Sequence, residues 1–574
     1  MSFRSLQRYL HSLPYLSWRQ VAWRLFRPLR RWRGRLALRL KKETAKVDVQ
    51  TFRRARSLLE EAARAGAIKR ISLEDLRNFH FNYLNRSVER RGSIPWGDTG
   101  LPKLWRYQLH GFRAAREFAM AVFSDNHLGD RDRALFWMRD WMEENPPGRG
   151  VGWDGWPLCE RLLAWALLMA AYHIREKDIV NSWAQQARWL SHTVEYDLQG
   201  NHLLKNALVL TLSGDLLQDT KLYRRGLKLL EREVAKQILS DGGHVERSLL
   251  YHNEVLWDSL IVLSLLKEAP VFFVEAVSAM TRFTDLLRHP DGDIPLFGDA
   301  VFRESPHPSV LVACVRVVVP SLSEAMREEP QSEKYGQAFP ASGYYLLGDG
   351  TQDSVMIVKT AAPSPSCQPG HSHGDMLSCE LSLKGKRFVV DTGTHGYGDS
   401  PYRAQCRSTK GHNTVQLGDH EQAEHWHTFR MGRRGEALPA SLQRDEEGAV
   451  FRGGAAWYQG GRHERYIKFS VQPLIWEIRD SVQSFDGEAV SRIHFHPSCE
   501  VEWMEENKSL RLCRDGIGAT VEIDDSSCCI GKVNLESFSY FPEFGKGLTG
   551  RVLEIRFEKK ILFHCRYLIK LDDP

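Results

Sequence analysis

The sequence predicts an α+β multidomain protein, with an N-terminal series of helical hairpins packed in an arc or ring and a C-terminal antiparallel β-sandwich. Three observations predict it. The chain has 574 residues, too many for one core. Apolar residues recur at helical spacing from about residue 50 to 330. From about residue 335 the pattern changes to short β-branched and aromatic runs separated by turn residues.

The first element is a basic segment, residues 1–46. Trp18, Val21, Leu25, Leu29, Trp32, Leu36 and Leu40 are spaced by three or four and form one helical stripe. Arginines fill much of the remaining circumference, and Pro28 is expected to kink the helix. Residues 1–42 hold twelve Lys or Arg and no Asp or Glu. Such a helix suits an anionic membrane surface, or its stripe docks on the protein's own helices. The pattern leaves both open.

Residues 47–332 read as helices joined by short breaks such as "NPPGRGVGWDGWP" and "HPDGDIPLFGD", with no period-2 run of note and no fixed repeat. Residues 333–574 read as the sandwich, with "GYYLLG", "SVMIVKT", "LSCELSLKGKRFVVDTG" and "LIWEIRDSVQ" among its strands. The polar stretch "EEPQSEKYGQAFPASG" marks the seam.

Composition narrows the function classes. A hydrophobic share of 42% and a charged share of 26% are globular values. The net charge of +6 mildly favours acidic partners, and no nucleic-acid partner is expected. Seventeen Trp suit either sugar stacking or helix cores, and core filling is expected for most of them. Ten scattered Cys with no CxxC pair read as reduced thiols. No apolar leader pattern and no run of spanning length is visible. A cytoplasmic protein, peripheral to the inner membrane if the basic segment binds lipid, is expected.

Three segments carry candidate chemistry. "QGNHLLKNA" holds Asn201, His202 and Asn206. "DGGHVERSLLYHNEV" holds His244, Glu246, Tyr251 and His252. The third runs from "GHSHGD" to "GHNTVQLGD" and holds His371, His373, Asp391, Tyr397, Arg407 and His412. HxH on a strand would point both imidazoles to one face. Two His and a carboxylate suit Zn²⁺, while a plain hydrogen-bonded cluster explains the same residues.

"GHSHGDMLSCELSLKGKRFVVDTGTHGY" followed by "RSTKGHNTVQLGD" resembles the signature of the heparinase II/III family of polysaccharide lyases. "DGGHVERSLLYH", "GNHLLKNA", "WPLCERLLAWALL" and "LWRYQLHGF" resemble segments of that family's helical domain, and the likeness runs in order from about residue 75 to 420. "GTHGY" departs from the pattern, because His395 stands where the family often has an aromatic residue. The resemblance implies an (α/α) toroid packed on the sandwich, with an acidic polysaccharide bound between them. It implies β-elimination at a 4-O-linked uronic acid.

On that resemblance the catalytic residues are Asn201, His202, Tyr251 and His371. An amide and an imidazole can quench the uronate carboxylate, so that C5 can lose its proton. Tyr251 or His202 takes that proton, and Tyr251 protonates O4, with Tyr397 in reserve. Glu246, Tyr397 and Arg407 are expected to bind substrate or orient the site. His373, Asp391 and His412 match family zinc ligands, with the zinc structural. A uronate C5-epimerase shares the first step, and a non-catalytic glycan-binding protein shares the scaffold; both are alternatives to the lyase.

Overall fold

A computed structural model describes residues 3–40, 47, 52–66, 73–89, 93–124, 130–320, 335–349, 353–505, 508–524, 530–557 and 564–572. The helical and sheet halves appear in the expected order. The seam expected at 332/333 lies outside the described residues, and the first sandwich strand is Gly336–Phe339.

The helical half is built on helices that are apolar on all sides and therefore buried. Gly155–Tyr172, Gly200–Leu216 and Leu249–Leu265 have almost every residue buried. More amphipathic helices such as Phe52–Arg64 and Thr220–Gln237 surround them. Trp105, Trp141, Trp165, Trp183 and Trp189 are fully buried, so core filling accounts for these tryptophans.

One element departs from the expected pattern. β1 (His80–Tyr83) and β2 (Arg86–Glu89) form a hairpin inside the helical half, where no strands are expected. Its two-residue turn is Leu84-Asn85, both at positive φ. Leu at that position is not a turn signal, which hides the hairpin in the sequence.

Among the described residues, the sandwich is built of two antiparallel sheets of nine and eight strands. The nine-stranded sheet runs from the long hairpin Ile530–Glu543 and Lys546–Phe557, through Ala489–Phe495, to Ser378–Leu383 and Gly336–Phe339. The eight-stranded sheet begins with the meander Glu436–Arg444, Gly448–Ala456, Arg462–Val471 and Leu474–Gln483. Phe451, Phe469, Trp476, Leu381 and Ile555 pack between them.

A third apolar cluster joins the halves. Leu249, Leu250 and Phe297 from the helical side pack with Tyr344, Ile357 and Tyr540 from the sandwich. Ion pairs reinforce it, with Arg387 Nε on Asp291 Oδ2 at 2.7 Å.

The N-terminal segment lies across both halves. Its helices are α1 (Phe3–Ser12), α2 (Trp18–Leu25) and α3 (Arg27–Leu40). The expected kink is a break at Phe26, with Pro28 in the first turn of α3, where its missing N–H costs nothing. α1 rests on the sandwich hairpin Ala423–Trp426/Arg430–Arg434: His11 Nδ1 lies 2.8 Å from Glu424 Oε2, and Tyr9 meets Trp426 edge-on. α3 rests on the helix Lys177–Thr193, where Gly34 sits against the Trp189 ring.

Candidate active site

The helix Gly200–Leu216 starts abruptly, because Gln199 and Gly200 both take positive φ, 58° and 55°. Asn201 and His202 stand in its first turn. The backbone N–H of Asn201 donates to Glu246 Oε1 at 2.8 Å, so a carboxylate closes the positive end of the helix. A Cβ on residue 200 would overlap Glu246 Oε1, so glycine at this positive φ lets the carboxylate approach the helix end. Glu246 Oε2 is buried with no hydrogen-bond partner among the described residues. Glu246 thus positions Asn201 through its backbone.

His202 Nδ1 lies 3.4 Å from Glu195 Oε2. Asn206, one turn further on, fixes that carboxylate: its Nδ2 donates to Glu195 Oε2 at 3.0 Å and its Oδ1 accepts from the Glu195 N–H. Burial pulls the His202 pKa down, but the Glu195 carboxylate outweighs it and the net shift is upward. His202 is therefore biased toward imidazolium.

The sandwich contributes His371. It and His373 lie in a loop before the strand Ser378–Leu383, not on a strand as expected. They still converge, because one carboxylate gathers them. Asp299 Oδ2 is 2.9 Å from His371 Nδ1, and Asp299 Oδ1 is 2.9 Å from His373 Nε2. Arg403 Nη2 donates to Asp299 Oδ2 at 2.9 Å. Burial opposes the Asp299 charge, but Arg403 and the two imidazoles hold its pKa well below the usual range. Asp299 comes from the helical half, so this contact also crosses the domain boundary.

Tyr251 stacks on His371 with ring centroids 3.7 Å apart and 30° between planes. Its hydroxyl is 2.6 Å from that of Tyr397. Burial, with Asp299 nearby, pushes both phenols well above their ordinary pKa. Tyr397 is held between Phe429 and the Arg403 guanidinium. The departure at His395 does not displace Tyr397: His395 packs on Tyr402, which is half exposed, and leaves Tyr397 facing Tyr251. The negative field of Glu246 reaches both His202 and Tyr251, which ties the two clusters together.

Arg407 is buried, and its Nη1 donates to the carbonyls of His427, Thr428 and Arg430. It thereby braces the segment that presents Phe429. Burial, then the neighbouring Arg403, pushes its pKa down to about 9. Its Nε and Nη2 are buried with no hydrogen-bond partner among the described residues.

The expected metal residues are near one another. His412 Nδ1 is 2.7 Å from Asp391 Oδ2, and the His373 and His412 rings are 5.4 Å apart. Each imidazole has one nitrogen fixed by a carboxylate, Asp299 or Asp391. The other nitrogen, His373 Nδ1 or His412 Nε2, is buried with no hydrogen-bond partner among the described residues. That is the pattern by which carboxylates orient ligating histidines. Asp391 is turned onto His412, and among the described residues no three ligating side chains close on one point. The donor types suit zinc.

Sequence reasoning missed Asp299, Glu195 and Phe429. Asp299 lies in a segment that reads only as a turn-rich break, and nothing in "PLFGDA" signals a buried carboxylate with three cationic or imidazole partners.

Residues 37–315 match the family described as Heparinase II/III N-terminus, and residues 332–561 match Heparinase II/III-like, C-terminal. A heparin-sulfate lyase of Pedobacter heparinus is 26% identical over 350 residues, covering 54% of this chain and 52% of that protein. One of Bacteroides thetaiotaomicron is 24% identical over 395 residues, covering 58% and 54%. The chain therefore spans about half the length of the curated relatives it matches. Among solved structures, that of heparinase III superposes with a TM-score of 0.68 at 19% identity, over 93% of this chain and 86% of that one. The heparan sulfate lyase HepC of Pedobacter heparinus superposes with a TM-score of 0.59 at 17% identity, over 96% and 88%. These likenesses extend the toroid-plus-sandwich architecture over nearly the whole chain. With both halves matched in order, the chain belongs to the heparinase II/III-like family.

Proposed function

We propose that this protein is a polysaccharide lyase that cleaves a uronate-containing acidic glycan by β-elimination. The observation that carries the reading is the Tyr251–His371 stack, formed by one residue from each half and backed by Asp299 and Tyr397. The names of the relatives make heparan sulfate the first substrate to try.

The chemistry follows from the environment of each group. Asn201 and His202 donate to the uronate carboxylate and stabilise charge as C5 loses its proton. His371, held through Nδ1 by Asp299, serves as the base through its other ring nitrogen. The C5–H electrons form the C4=C5 bond and the C4–O4 bond breaks. The Tyr251 hydroxyl, kept protonated by burial, gives its proton to O4. Transfer of the proton from His371 back to Tyr251 through solvent restores the site.

A zinc ion held by His373 and His412, with Asp391 beside His412, would brace the loop that carries His371. The buried, partnerless ring nitrogens support this. The eight described cysteines are all free thiols, which supports a reducing compartment.

The test is incubation with a panel of acidic polysaccharides, heparan sulfate included, in D₂O. Ultraviolet absorbance from an unsaturated uronate is expected. Deuterium at C5 without cleavage would replace the reading with an epimerase, and binding without either change would replace it with a glycan-binding protein.

A further inference from the structure

We infer that α2 and α3 form a docking surface for an anionic phospholipid bilayer. The observation is an inverted amphipathic helix. A surface helix of a globular protein turns its apolar stripe inward, and α3 does the opposite. Its contact with the protein is made at Gly34, whose Cα lies so close to Trp189 that an added Cβ would stand 2.9 Å from the ring. Arg30 and Arg31, on the same side, are taken up by the Val194 carbonyl at 2.6 Å and by Asp154 Oδ1 at 3.1 Å. The docked side is therefore made of Gly34, Leu38 and these arginines, and not of the stripe.

The opposite side carries Leu29, Trp32 and Leu36, and α2 continues the surface with Trp18 and Leu25. Trp18 and Leu25 are each 74% exposed and Trp32 is 58% exposed, in a protein whose other tryptophans are mostly buried. Exposed apolar side chains gathered on one surface mark an interaction site. The rim of the surface identifies the occupant. Arg19, Arg24, Arg33 and Arg39 are exposed around the stripe, and residues 1–42 contain no carboxylate. Trp and Leu side chains that enter the headgroup region, flanked by arginines that meet lipid phosphates, are the features of an interfacial helix. The contact is peripheral, since no helix among the described residues is long and apolar enough to cross a membrane. The pocket formed by Arg27, Arg30, Arg31, Asp154 and Glu195 places this surface next to the carboxylate that holds His202.

The test uses the full chain with vesicles of equimolar phosphatidylglycerol and phosphatidylcholine, and with phosphatidylcholine alone. The chain is expected to sediment with the first and not the second. The combined substitution Trp18→Ser, Leu25→Ser, Trp32→Ser should weaken this by about tenfold or more, with an unchanged melting temperature because these side chains are exposed. Should that variant melt early, Arg24→Glu with Arg33→Glu replaces it, with the same loss expected. Absence of binding to the phosphatidylglycerol vesicles overturns the inference, as does undiminished binding by a folded variant. A dimer of the native chain that the triple substitution turns into monomer also overturns it, because the surface then belongs to a second copy.

Discussion

Tyr251 and Gly200 make opposite demands on a substitution, and each yields a clean prediction. Tyr251→Phe removes one hydroxyl from a ring that stays stacked on His371, so the fold should hold. If that hydroxyl carries the proton to O4, turnover on a cleaved glycan should fall about 10²-fold or more, with an unchanged melting temperature. Retention of near-normal turnover would pass the role to Tyr397, whose hydroxyl is 2.6 Å away. Gly200→Ala adds only a methyl group, but at φ 55° and against Glu246. It should cost about 1–3 kcal/mol in denaturant unfolding and should also lower turnover, because the Asn201 N–H is held by that same carboxylate. Asp299→Asn should be worse than either, since it leaves Arg403 buried beside a neutral partner; loss of one member of a buried pair typically costs about 3–5 kcal/mol. Asp299 was also the least legible of these residues. Asn201, His202, Tyr251 and His371 are weak signals alone and became legible because their segments resemble family motifs, whereas Asp299 gains its importance only when the chain folds back.

At the scale of elements, spacing in the sequence could say which side chains recur on a face but not which face turns inward. The stripe on α2 and α3 was legible, and its outward direction was not. Gly34 against Trp189 determines that direction, and the contact joins residues far apart in the sequence. The HxH pair shows the same limit. Alternation would bring two imidazoles to one side of a strand, but here a loop does so because Asp299 holds both. The loop arrangement makes the metal reading testable at this scale. Protein purified without added metal should contain about one zinc per chain, the stoichiometry of a single structural site. His373→Ala should lose the zinc and lower the unfolding temperature together, because binding free energy adds to folding. Metal content unchanged by that substitution would remove His373 from the ligand set.

For the whole molecule, the two-part architecture was legible because helix and strand periods occupy separate stretches of sequence, while the apolar and ionic cement between the halves was not, being made of pairs across long separations. One such pair sets an acid limit. Burial opposes ionisation of Asp291, but the Arg387 guanidinium outweighs it and brings the pKa down to about 2, from an ordinary value of 3.8. A carboxyl group whose folded pKa is depressed stabilises above its unfolded pKa and loses that contribution as pH falls toward the folded one. The clip is thus intact above about pH 4 and weakens between there and about pH 2. Asp291→Asn should flatten that part of the stability–pH curve, measured by urea unfolding; an unaltered curve would mean the pair contributes nothing. The N-terminal helices add a constraint of another kind, one of timing. His11 meets Glu424 across 413 residues of sequence, so α1 has no docking partner until the sandwich hairpin has been synthesised. At about 5–20 residues per second this separation corresponds to roughly 20–80 s, during which the basic, tryptophan-bearing segment is outside the ribosome with its sandwich contact not yet made. During synthesis α3 can therefore dock on Asp154 and Trp189 well before α1 can reach Glu424, so the contact face of α1 is the part of this segment covered last and stays accessible to a membrane or a chaperone until the sandwich hairpin is made.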